Sequence, residues 1–349
     1  MTRILVYRFS AMGDVVMLLP VLKGLLASNQ QVEIYLCTPA FLFPVFRGIE
    51  RLHLIGADFK EKHKGTAGLF RLFKQLKSEV NPDLVIDLHQ VIRTYALNAC
   101  FRVAGYRVIG FNKGRKEKKL AIKTKSREPL PSTFERYATA FEKAGFRFSL
   151  SVPPLFPKTA REEALTLLGL DPLVAHTLIG IAPFAKHQQK VWGKDKTEML
   201  IAELTKNNAH TVVLFGGGKS ELEILDQLAA KYPNCLVAAH YLKFNQEIQV
   251  LPHLELMVSM DSANMHLASM AGVPTISIWG ATHPSLGFVP YHQPEENRIQ
   301  YEGNDLACRP CSVFGNKKCI YESVRCMDYI SVDRVLARVN QLLTKSEKK

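Results

Sequence analysis

One junction in this sequence joins an apolar run, two polar residues and a segment compatible with a helix. Residues 254–260 predict a buried strand, and Asp261 and Ser262, both common N-cap residues, follow it directly. Residues 263–271 then predict a helix, whose free N–H groups would face an anion at the carboxyl end of the strand. We therefore predict a phosphate or diphosphate site at residues 262–264 (Ser262 to Asn264), with Asp261 and His266 on the same first turns. The alternative is a capping aspartate and a core histidine.

A second candidate lies near the N-terminus, where a strand predicted at residues 3–9 meets a helix. The connecting turn runs from Ser10 to Gly13, and Asp14 follows it. Dinucleotide-binding proteins place Gly-x-Gly-x-x-Gly here, whereas this chain has one glycine and a carboxylate that would repel a pyrophosphate. The carboxylate could instead accept the proton of an acceptor hydroxyl as a general base. The alternative is an aspartate that favours the helix start through the macrodipole.

Basic residues follow the first strand predicted in the second half of the chain. Lys186 and Lys190 come after the strand at residues 178–182, where lysines suit a phosphate group, although a surface loop would also explain them. Glycines 216–218 lack the Gly-x-x-x-x-Gly-Lys-[Ser/Thr] spacing of a nucleoside triphosphatase. The sequence contains no Asp-x-Asp pair, so a metal-bridged diphosphate has no evident ligands. We therefore expect no cofactor and no metal at this site.

Four cysteines near the C-terminus form a separate cluster. Cys308, Cys311, Cys319 and Cys326 are separated by two, seven and six residues. Four thiols in so short a segment could hold zinc, although the spacing is not that of a common zinc finger. The more frequent alternative is a packed, reduced loop.

The composition is that of a globular protein with room for two domains. Of its 349 residues, 47% are apolar and 22% are charged. No apolar run approaches the ~18 residues of a membrane-spanning helix. Arg8 and Asp14 come too early for the apolar core of a signal peptide, so we expect a cytoplasmic protein.

The net charge of +13 is confined to the first half of the chain. Residues 1–170 contain 27 Lys and Arg against 14 Asp and Glu, and 27 − 14 = +13, whereas residues 171–349 contain 18 of each, and 18 − 18 = 0. The densest part is residues 113–127, with eight basic residues and one acid. This charge indicates a polyanionic partner, such as nucleic acid, an anionic membrane surface or a phosphorylated substrate. The alternative is a solvated loop.

Strands and helices alternate throughout, which is typical of doubly wound parallel sheets. In the first half we predict strands at 3–9, 32–37, 51–55, 83–89 and 107–111 and helices at 15–27, 69–80, 91–104 and 133–144. A proline-rich linker at 146–157 precedes strands at 178–182, 211–215, 236–239, 254–260 and 275–279 and helices at 196–206, 220–231, 263–271 and 332–344. The predicted fold is α/β with two Rossmann-like domains, residues 1–157 and 158–349, facing each other across a cleft.

Four segments together resemble the ADP-heptose:lipopolysaccharide heptosyltransferases of glycosyltransferase family 9. They are Ile4-Leu-Val-Tyr-Arg-Phe-Ser-Ala-Met-Gly-Asp-Val-Val with Pro20, Asp83-Leu-Val-Ile-Asp-Leu-His, Lys190-Val-Trp, and Met260-Asp-Ser-Ala-Asn-Met-His-Leu-Ala-Ser-Met-Ala-Gly-Val-Pro. The Cys-x-Pro-Cys segment before a final helix also recurs in such proteins. The resemblance implies a GT-B enzyme that is inverting and metal-independent, with an acceptor-binding N-terminal domain and a C-terminal domain that binds the nucleotide-heptose.

The resemblance also implies roles for individual residues. Asp14 would be the catalytic base, Lys190 would neutralise donor phosphate, and Asp261 would contact the donor sugar. The remaining donor-side residues would be Lys186, Ser262, Ala263, His266 and either Glu221 or Glu223, and the acceptor-side residues would be Ser10, Gly13, Lys113, Arg115 and Lys116. The chain departs from many relatives at Ala263 and Asn264, where they have Gly and Leu.

The implied partners are ADP-heptose, a phosphorylated glycolipid acceptor of the lipid A–Kdo type and the inner face of the inner membrane, with peripheral attachment. No nucleic-acid partner is expected, because no aromatic-rich basic strand or recognition helix is evident. Two alternatives remain at this point. One is a GT-B glycosyltransferase that uses another nucleotide-sugar. The other is a non-catalytic, basic Rossmann-type binding protein, whose nucleic-acid affinity would depend steeply on salt.

Overall fold

The computed structural model describes residues 1–303 and 305–346. Residues 304 and 347–349, which the predicted second domain includes, lie outside this description. The chain divides into two compact units: Met1–Arg115 with Pro131–Val152, and Lys116–Leu130 with Pro153–Lys349. Within the described residues, no helix is both long and apolar enough to cross a membrane.

The first unit is a parallel sheet covered by helices. Its strands are β1 (Thr2–Tyr7), β2 (Val32–Thr38), β3 (Leu52–Gly56), β4 (Leu84–Asp87) and β5 (Val108–Gly110), in the order β3-β2-β1-β4-β5. Its helices are α1 (Met12–Val16), α2 (Leu19–Ser28), α3 (Gly65–Val80), α4 (Ile92–Val103) and α6 (Thr133–Glu142). Between α4 and α6 the chain forms α5 (Arg115–Thr124), most of which belongs to the second unit. Tyr7 lies opposite Cys37 on one side and Asp87 on the other. The residues that follow β1 and β4 therefore emerge at the same edge of the sheet.

Two helices replace the single helix predicted at residues 15–27. Pro20 lies in the first turn of α2, where its missing N–H leaves no hydrogen bond unmade. The chain therefore starts a new helix there, and α1 ends at Val16. As a result, Gly13 and Asp14 belong to the first turn of the short helix α1, directly after β1.

The second unit has a six-stranded parallel sheet. Its strands are β6 (Thr177–Ala182), β7 (His210–Leu214), β8 (Cys235–Val237), β9 (Leu256–Met260), β10 (Thr275–Trp279) and β11 (Arg298–Gln300), in the order β11-β10-β9-β6-β7-β8. Its helices are α7 (Arg161–Leu167), α8 (Lys194–Leu204), α9 (Lys219–Ala229), α10 (Ala238–Tyr241), α11 (Phe244–Val250), α12 (Ala263–Met270), α13 (Arg325–Asp328) and α14 (Val332–Ser346). Ala182 pairs with Ser259, so the loops after β6 and β9 leave one edge together.

Five short elements of the second unit are absent from the sequence prediction. They are α7, α10, α11, α13 and β11, and none is longer than seven residues. An amphipathic repeat needs more residues than this to be visible in a sequence.

The basic segment, residues 113–127, lies within the predicted first domain (residues 1–157), and the sequence analysis offered a solvated loop as its alternative reading. Residues 115–124 form α5, and residues 116–130 belong to the second unit. The Lys118 ammonium lies 3.9 Å from the centroid of the Phe288 ring, and the Leu130 N–H donates to the Ser285 carbonyl at 2.8 Å. Lys125 Nζ donates to the carbonyl of Cys308 at 3.0 Å. These contacts fix the segment to the second unit, and the chain leaves the first unit at Val152 rather than at the predicted residue 157.

Candidate functional site

The junction after β9 has the predicted local structure. Ser262 is the N-cap of α12, with extended backbone (φ −146°, ψ 178°). Its hydroxyl lies 3.2 Å from that of Ser259. In the described part of the chain, the Ser262 side chain caps none of the first N–H groups of α12. These groups are therefore available to an anion. Ala263 is the first residue of α12 and has helical backbone, which alanine adopts without strain.

An ion pair stands beside the opening of α12. Lys190 Nζ lies 2.9 Å from Asp261 Oδ2, and Thr282 Oγ1 donates a hydrogen bond of 2.8 Å to the same oxygen. The two charged side chains are only 12% and 10% exposed. Removing either partner would leave a mostly buried charge. The structure thus brings together the cation and the carboxylate that the sequence analysis assigned to the donor.

A glycine of the cysteine-rich loop packs against the stem of this lysine. A Cβ built on Gly315 would lie 2.5 Å from both Cγ and Cδ of Lys190, and Gly315 has φ +77°. Two backbone hydrogen bonds connect the same loop to the site. The Cys311 N–H donates to the Ala281 carbonyl, and the Ala281 N–H donates to the carbonyl of Gln189, which precedes Lys190. The loop therefore fixes the position of Lys190.

The remaining donor-side candidates lie in different surroundings. Glu221 Oε2 accepts a 2.9 Å hydrogen bond from the Gly217 N–H at the start of α9, whereas Glu223 is exposed on that helix. The glycine turn therefore favours Glu221 of the two. Lys186 is exposed. His266 is buried within α12, which matches the core-histidine alternative.

In the first unit, Asp14 is held by a buried arginine. Arg8 Nη2 lies 2.7 Å from Asp14 Oδ2, and the Ala11 N–H donates to the same oxygen at 3.1 Å. Tyr137 Oη donates to the Asp14 carbonyl at 3.1 Å. The Arg8 side chain is 6% exposed and that of Asp14 is 25% exposed. Among the described residues, both side-chain contacts of Asp14 are made by Oδ2, which leaves Oδ1 for a substrate.

Arg8 is a site residue that the sequence analysis missed. Its guanidinium carbon lies 5.8 Å from the ring centroids of both Phe111 and Tyr137, and its Nη1 donates to the Leu88 carbonyl at 2.6 Å. The sequence does contain one indication that Arg8 has a role, because it is an arginine at the end of an otherwise apolar strand. Such a charge is rarely buried unless it is paired.

Further polar residues surround Asp14 at this edge of the sheet. Ser10 Oγ lies 3.3 Å from His89 Nε2. Burial is the larger cause and repulsion from Arg8 the second, and together they lower the pKa of His89 to about 3 and the pKa of Lys113 to about 8. His89 is therefore neutral at physiological pH, and Lys113 is a cation with an easily lost proton.

The basic acceptor-side candidates Arg115 and Lys116 belong to different units. Arg115 donates to the Gln90 carbonyl at 2.8 Å and belongs to the first unit, together with Ser10, Gly13 and Lys113. Lys116 is exposed on α5 and belongs to the second unit. Lys116 therefore lies outside the first unit, whereas the sequence analysis placed it in the predicted acceptor-binding domain, residues 1–157.

The four cysteines of the C-terminal loop line one small cavity of about 10 Å³. All four are reduced, and a hydrogen bond links the Cys308 and Cys311 side chains. Burial raises the pKa of Cys311 to about 12 and also raises that of Cys326. Among residues 1–303 and 305–346, no group of three or more His, Cys, Asp or Glu side chains is arranged to hold a metal ion. The geometry is that of packed thiols.

Comparison with known proteins relates this arrangement to one family. Residues 69–320 match glycosyltransferase family 9 (heptosyltransferase). Lipopolysaccharide heptosyltransferase 1 of Pseudomonas aeruginosa is 27% identical over 267 residues, which cover 73% of this chain and 68% of that protein. Lipopolysaccharide heptosyltransferase 3 of Escherichia coli is 27% identical over 200 residues, or 57% of this chain and about half (55%) of the relative.

The fold is also that of a solved family structure. The ADP-heptose lipopolysaccharide heptosyltransferase II of E. coli superposes with a TM-score of 0.71 at 20% identity, covering 99% of this chain and 100% of that one. The two parallel sheets are thus the Rossmann-like domains of the GT-B fold. The family match covers more than half of the sequence, and the chain belongs to glycosyltransferase family 9, the heptosyltransferases.

Proposed function

We propose that this enzyme transfers heptose from ADP-heptose to a hydroxyl of a phosphorylated inner-core glycolipid of lipopolysaccharide, of the lipid A–Kdo type. The observation that carries the proposal is the Lys190–Asp261 ion pair beside the open N-terminus of α12, in a chain of this family. The names of its relatives support heptose as the sugar and lipopolysaccharide as the product.

The donor would bind to the second unit. The ammonium of Lys190 and the first N–H groups of α12 offer positive charge to a diphosphate, and this charge stabilises the ADP that leaves. Asp261 uses Oδ2 for its contacts with Lys190 and Thr282. Its other oxygen can accept hydrogen bonds from the sugar hydroxyls. A cation and a helix N-terminus can stabilise the leaving group without a carboxylate-held metal, and we propose that the reaction is metal-independent.

The acceptor would bind to the first unit, with Asp14 as the general base. The Arg8 guanidinium favours the ionised carboxylate and fixes its Oδ2, so Oδ1 can accept the proton of the acceptor hydroxyl. As the acceptor oxygen forms its bond to the anomeric carbon, the bond from that carbon to the diphosphate breaks and ADP leaves. A single displacement with one base and no covalent intermediate inverts the configuration of that carbon.

The phosphate groups of the acceptor would bind to cationic side chains near Asp14, at the edge of the sheet that follows β1 and β4. Lys113 and Arg115 belong to the first unit. Lys113 is close enough to Arg8 and Asp14 for their charges to affect its pKa, and Arg115 donates to the Gln90 carbonyl after β4. Because such an acceptor is anchored in a bilayer, we propose that the enzyme works in the cytoplasm as a peripheral protein on the inner face of the inner membrane. The basic excess in residues 1–170 supports attraction to that surface.

The test is direct measurement of sugar transfer. Purified enzyme is incubated with ADP-heptose and a defined lipid A–Kdo acceptor, and ADP release and product mass are measured, with UDP- and GDP-sugars in parallel reactions. We expect transfer from ADP-heptose alone, with inverted anomeric configuration. Transfer only from another nucleotide-sugar would favour the alternative GT-B activity, and retention of configuration would contradict the single displacement at Asp14.

A further inference from the structure

Helix α4 presents an apolar face to solvent. Ile92 is 87% exposed and Val103 is 91% exposed, and Tyr95, between them, is also exposed. Ala96 and Ala99 are exposed as well and complete the set. Residues 92, 95, 96, 99 and 103 follow the spacing of one helix face. We call this set the α4 outer face.

The fold itself does not need this face. The opposite side of α4 buries Leu97 and Phe101, and Phe101 packs edge-on against Phe73 of α3 with 5.0 Å between ring centroids. An ordinary surface helix has polar residues opposite such a buried stripe. Apolar side chains at these positions therefore indicate a second contact outside the chain.

Cations flank the α4 outer face. Arg93 and Arg102 are exposed on α4 at either end of it, and the neighbouring helix α3 exposes Lys74 and Lys77. Residues 60–107 contain nine Lys and Arg against four Asp and Glu, so 9 − 4 = +5. An apolar stripe with basic flanks is typical of a helix that lies in the interface of an anionic membrane.

The face begins beside the proposed acceptor site. His89, whose ring approaches the Ser10 hydroxyl, precedes Ile92 by three residues, at the edge of the sheet that carries Asp14. We propose that the α4 outer face docks on an anionic phospholipid surface and inserts Ile92, Tyr95 and Val103 among the lipids. This inference rests on the proposed function, because a lipid-anchored acceptor requires the enzyme to work at that surface.

The charges argue against a second copy of the chain as the occupant. Two α4 outer faces in contact would bring Arg93 and Arg102 of both copies together, and like charges repel. Five side chains of a helix about 18 Å long are also far fewer than the ~20–30 residues that each partner contributes to a stable interface.

The test is co-sedimentation of the whole protein with vesicles. Phosphatidylcholine vesicles with and without phosphatidylglycerol are used, at low and at high salt. We expect binding to the anionic vesicles alone, and weaker binding at high salt. The double variant Ile92→Ser/Val103→Ser should bind about tenfold more weakly or worse, because each aliphatic side chain that enters the bilayer contributes roughly threefold to tenfold.

The matched control is Leu173→Ser/Val174→Ser. It removes two exposed aliphatic side chains from the second unit, with Leu173 95% exposed, and should leave vesicle binding unchanged. The proposal is overturned if Ile92→Ser/Val103→Ser binds as the wild type does, or if both double variants lose binding equally. It is also overturned if sedimentation velocity shows a dimer that only the α4 variant dissociates.

Transfer to a water-soluble, delipidated acceptor separates this proposal from the proposed function. The α4 variant should retain wild-type turnover with that acceptor, because the α4 outer face touches lipid rather than the reacting groups. Vesicle binding that depends on α4, in an enzyme that transfers no heptose, would refute only the proposed reaction. Normal transfer without vesicle binding would refute only the docking surface.

Discussion

Arg8 and Asp14 form an ion pair in which the cation is buried and the carboxylate is partly exposed. The pair joins the end of β1 to the first turn of α1, and the Ala11 N–H shares the same carboxylate oxygen. Because both contacts hold Oδ2, the direction of Oδ1 is set by the fold rather than by solvent. Arg8 is therefore a positioning residue for the proposed base.

Replacement of Asp14 by asparagine should abolish most of the turnover. The amide keeps the size of the side chain and can still accept a hydrogen bond from Arg8, but it cannot take a proton, so kcat should fall by ~10²–10⁴-fold. The charge attraction to Arg8 is lost as well, which should destabilise the fold by about 1–2 kcal/mol. Steady-state kinetics, thermal melting and ADP titration measure the three effects.

The control for this variant is Asp58→Asn, which neutralises an exposed carboxylate of the same unit that accepts the Lys60 and Glu61 N–H groups. It should retain kcat. ADP affinity should be normal in both variants, since the donor binds to the other unit. Near-full turnover in Asp14→Asn would remove the base assignment, whereas unfolding would favour a purely structural aspartate.

Acceptor binding should weaken as the pH rises through the pKa of Lys113. Burial and the nearby Arg8 lower that pKa to about 8, so the ammonium loses its charge above this value while ordinary lysines keep theirs. We expect the acceptor KM to rise about twofold to fivefold over this range, which is the value of one partly exposed charge contact.

Two variants show whether Lys113 causes this rise. Lys113→Arg stays charged and should keep a low acceptor KM across the range, whereas Lys113→Gln should have a raised KM at every pH. The donor binds to the other unit, so the donor KM should not show the pH dependence expected for the acceptor KM. An unchanged pH profile in Lys113→Gln would exclude Lys113 from acceptor binding.

The local elements of the site were predictable because each depends on neighbours in sequence. An apolar run followed by Asp261 and Ser262 specifies a strand, a cap and a helix, and the alternation of such units specifies parallel sheets. The Lys190–Asp261 contact was not predictable from spacing alone, since the two residues are 71 positions apart, counted as 261 − 190. The family resemblance assigned both residues to the donor site but did not predict their contact with each other.

Two features depend on tertiary contacts that leave no local trace. Arg8 is stabilised by Asp14, by the Leu88 carbonyl and by two aromatic rings from separate segments. A solvated loop was one alternative for the basic segment in the sequence, but Lys118 and Lys125 use their long side chains to contact the Phe288 ring and the Cys308 carbonyl, which also belong to the second unit. A single domain boundary at the proline-rich linker cannot describe this arrangement, because residues 116–130 belong to the second unit whereas residues 131–152, which follow them, belong to the first.

Donor binding and turnover should not require a divalent metal. The diphosphate would be neutralised by Lys190 and the first N–H groups of α12, and the chain has no Asp-x-Asp pair to hold a bridging ion. EDTA should therefore leave kcat and the ADP Kd unchanged. Activity that is lost in EDTA and restored by Mg²⁺ would contradict this, provided that circular dichroism shows the chelated protein to be folded.

Substitution of Gly315 should weaken ADP binding although this residue carries no functional group. A Cβ there would lie 2.5 Å from Cγ and Cδ of Lys190, so the lysine stem must shift, and we expect this shift to carry the ammonium away from Asp261. Gly315→Ala should raise the ADP Kd about tenfold, the value of one charged hydrogen bond. Gly48→Ala is the matched control, because Gly48 also has φ +77° but an added Cβ would meet no described atom within 4 Å.

A double-mutant cycle then decides whether Gly315 acts through Lys190. Both alanine variants should lose about 1–2 kcal/mol of stability from left-handed backbone strain, but only Gly315→Ala should change the ADP Kd. Lys190→Gln alone should also raise that Kd, and adding Gly315→Ala to it should have little further effect, since the displaced ammonium is already absent. Additive losses measured by calorimetric titration would show instead that Gly315 affects the donor site by another route.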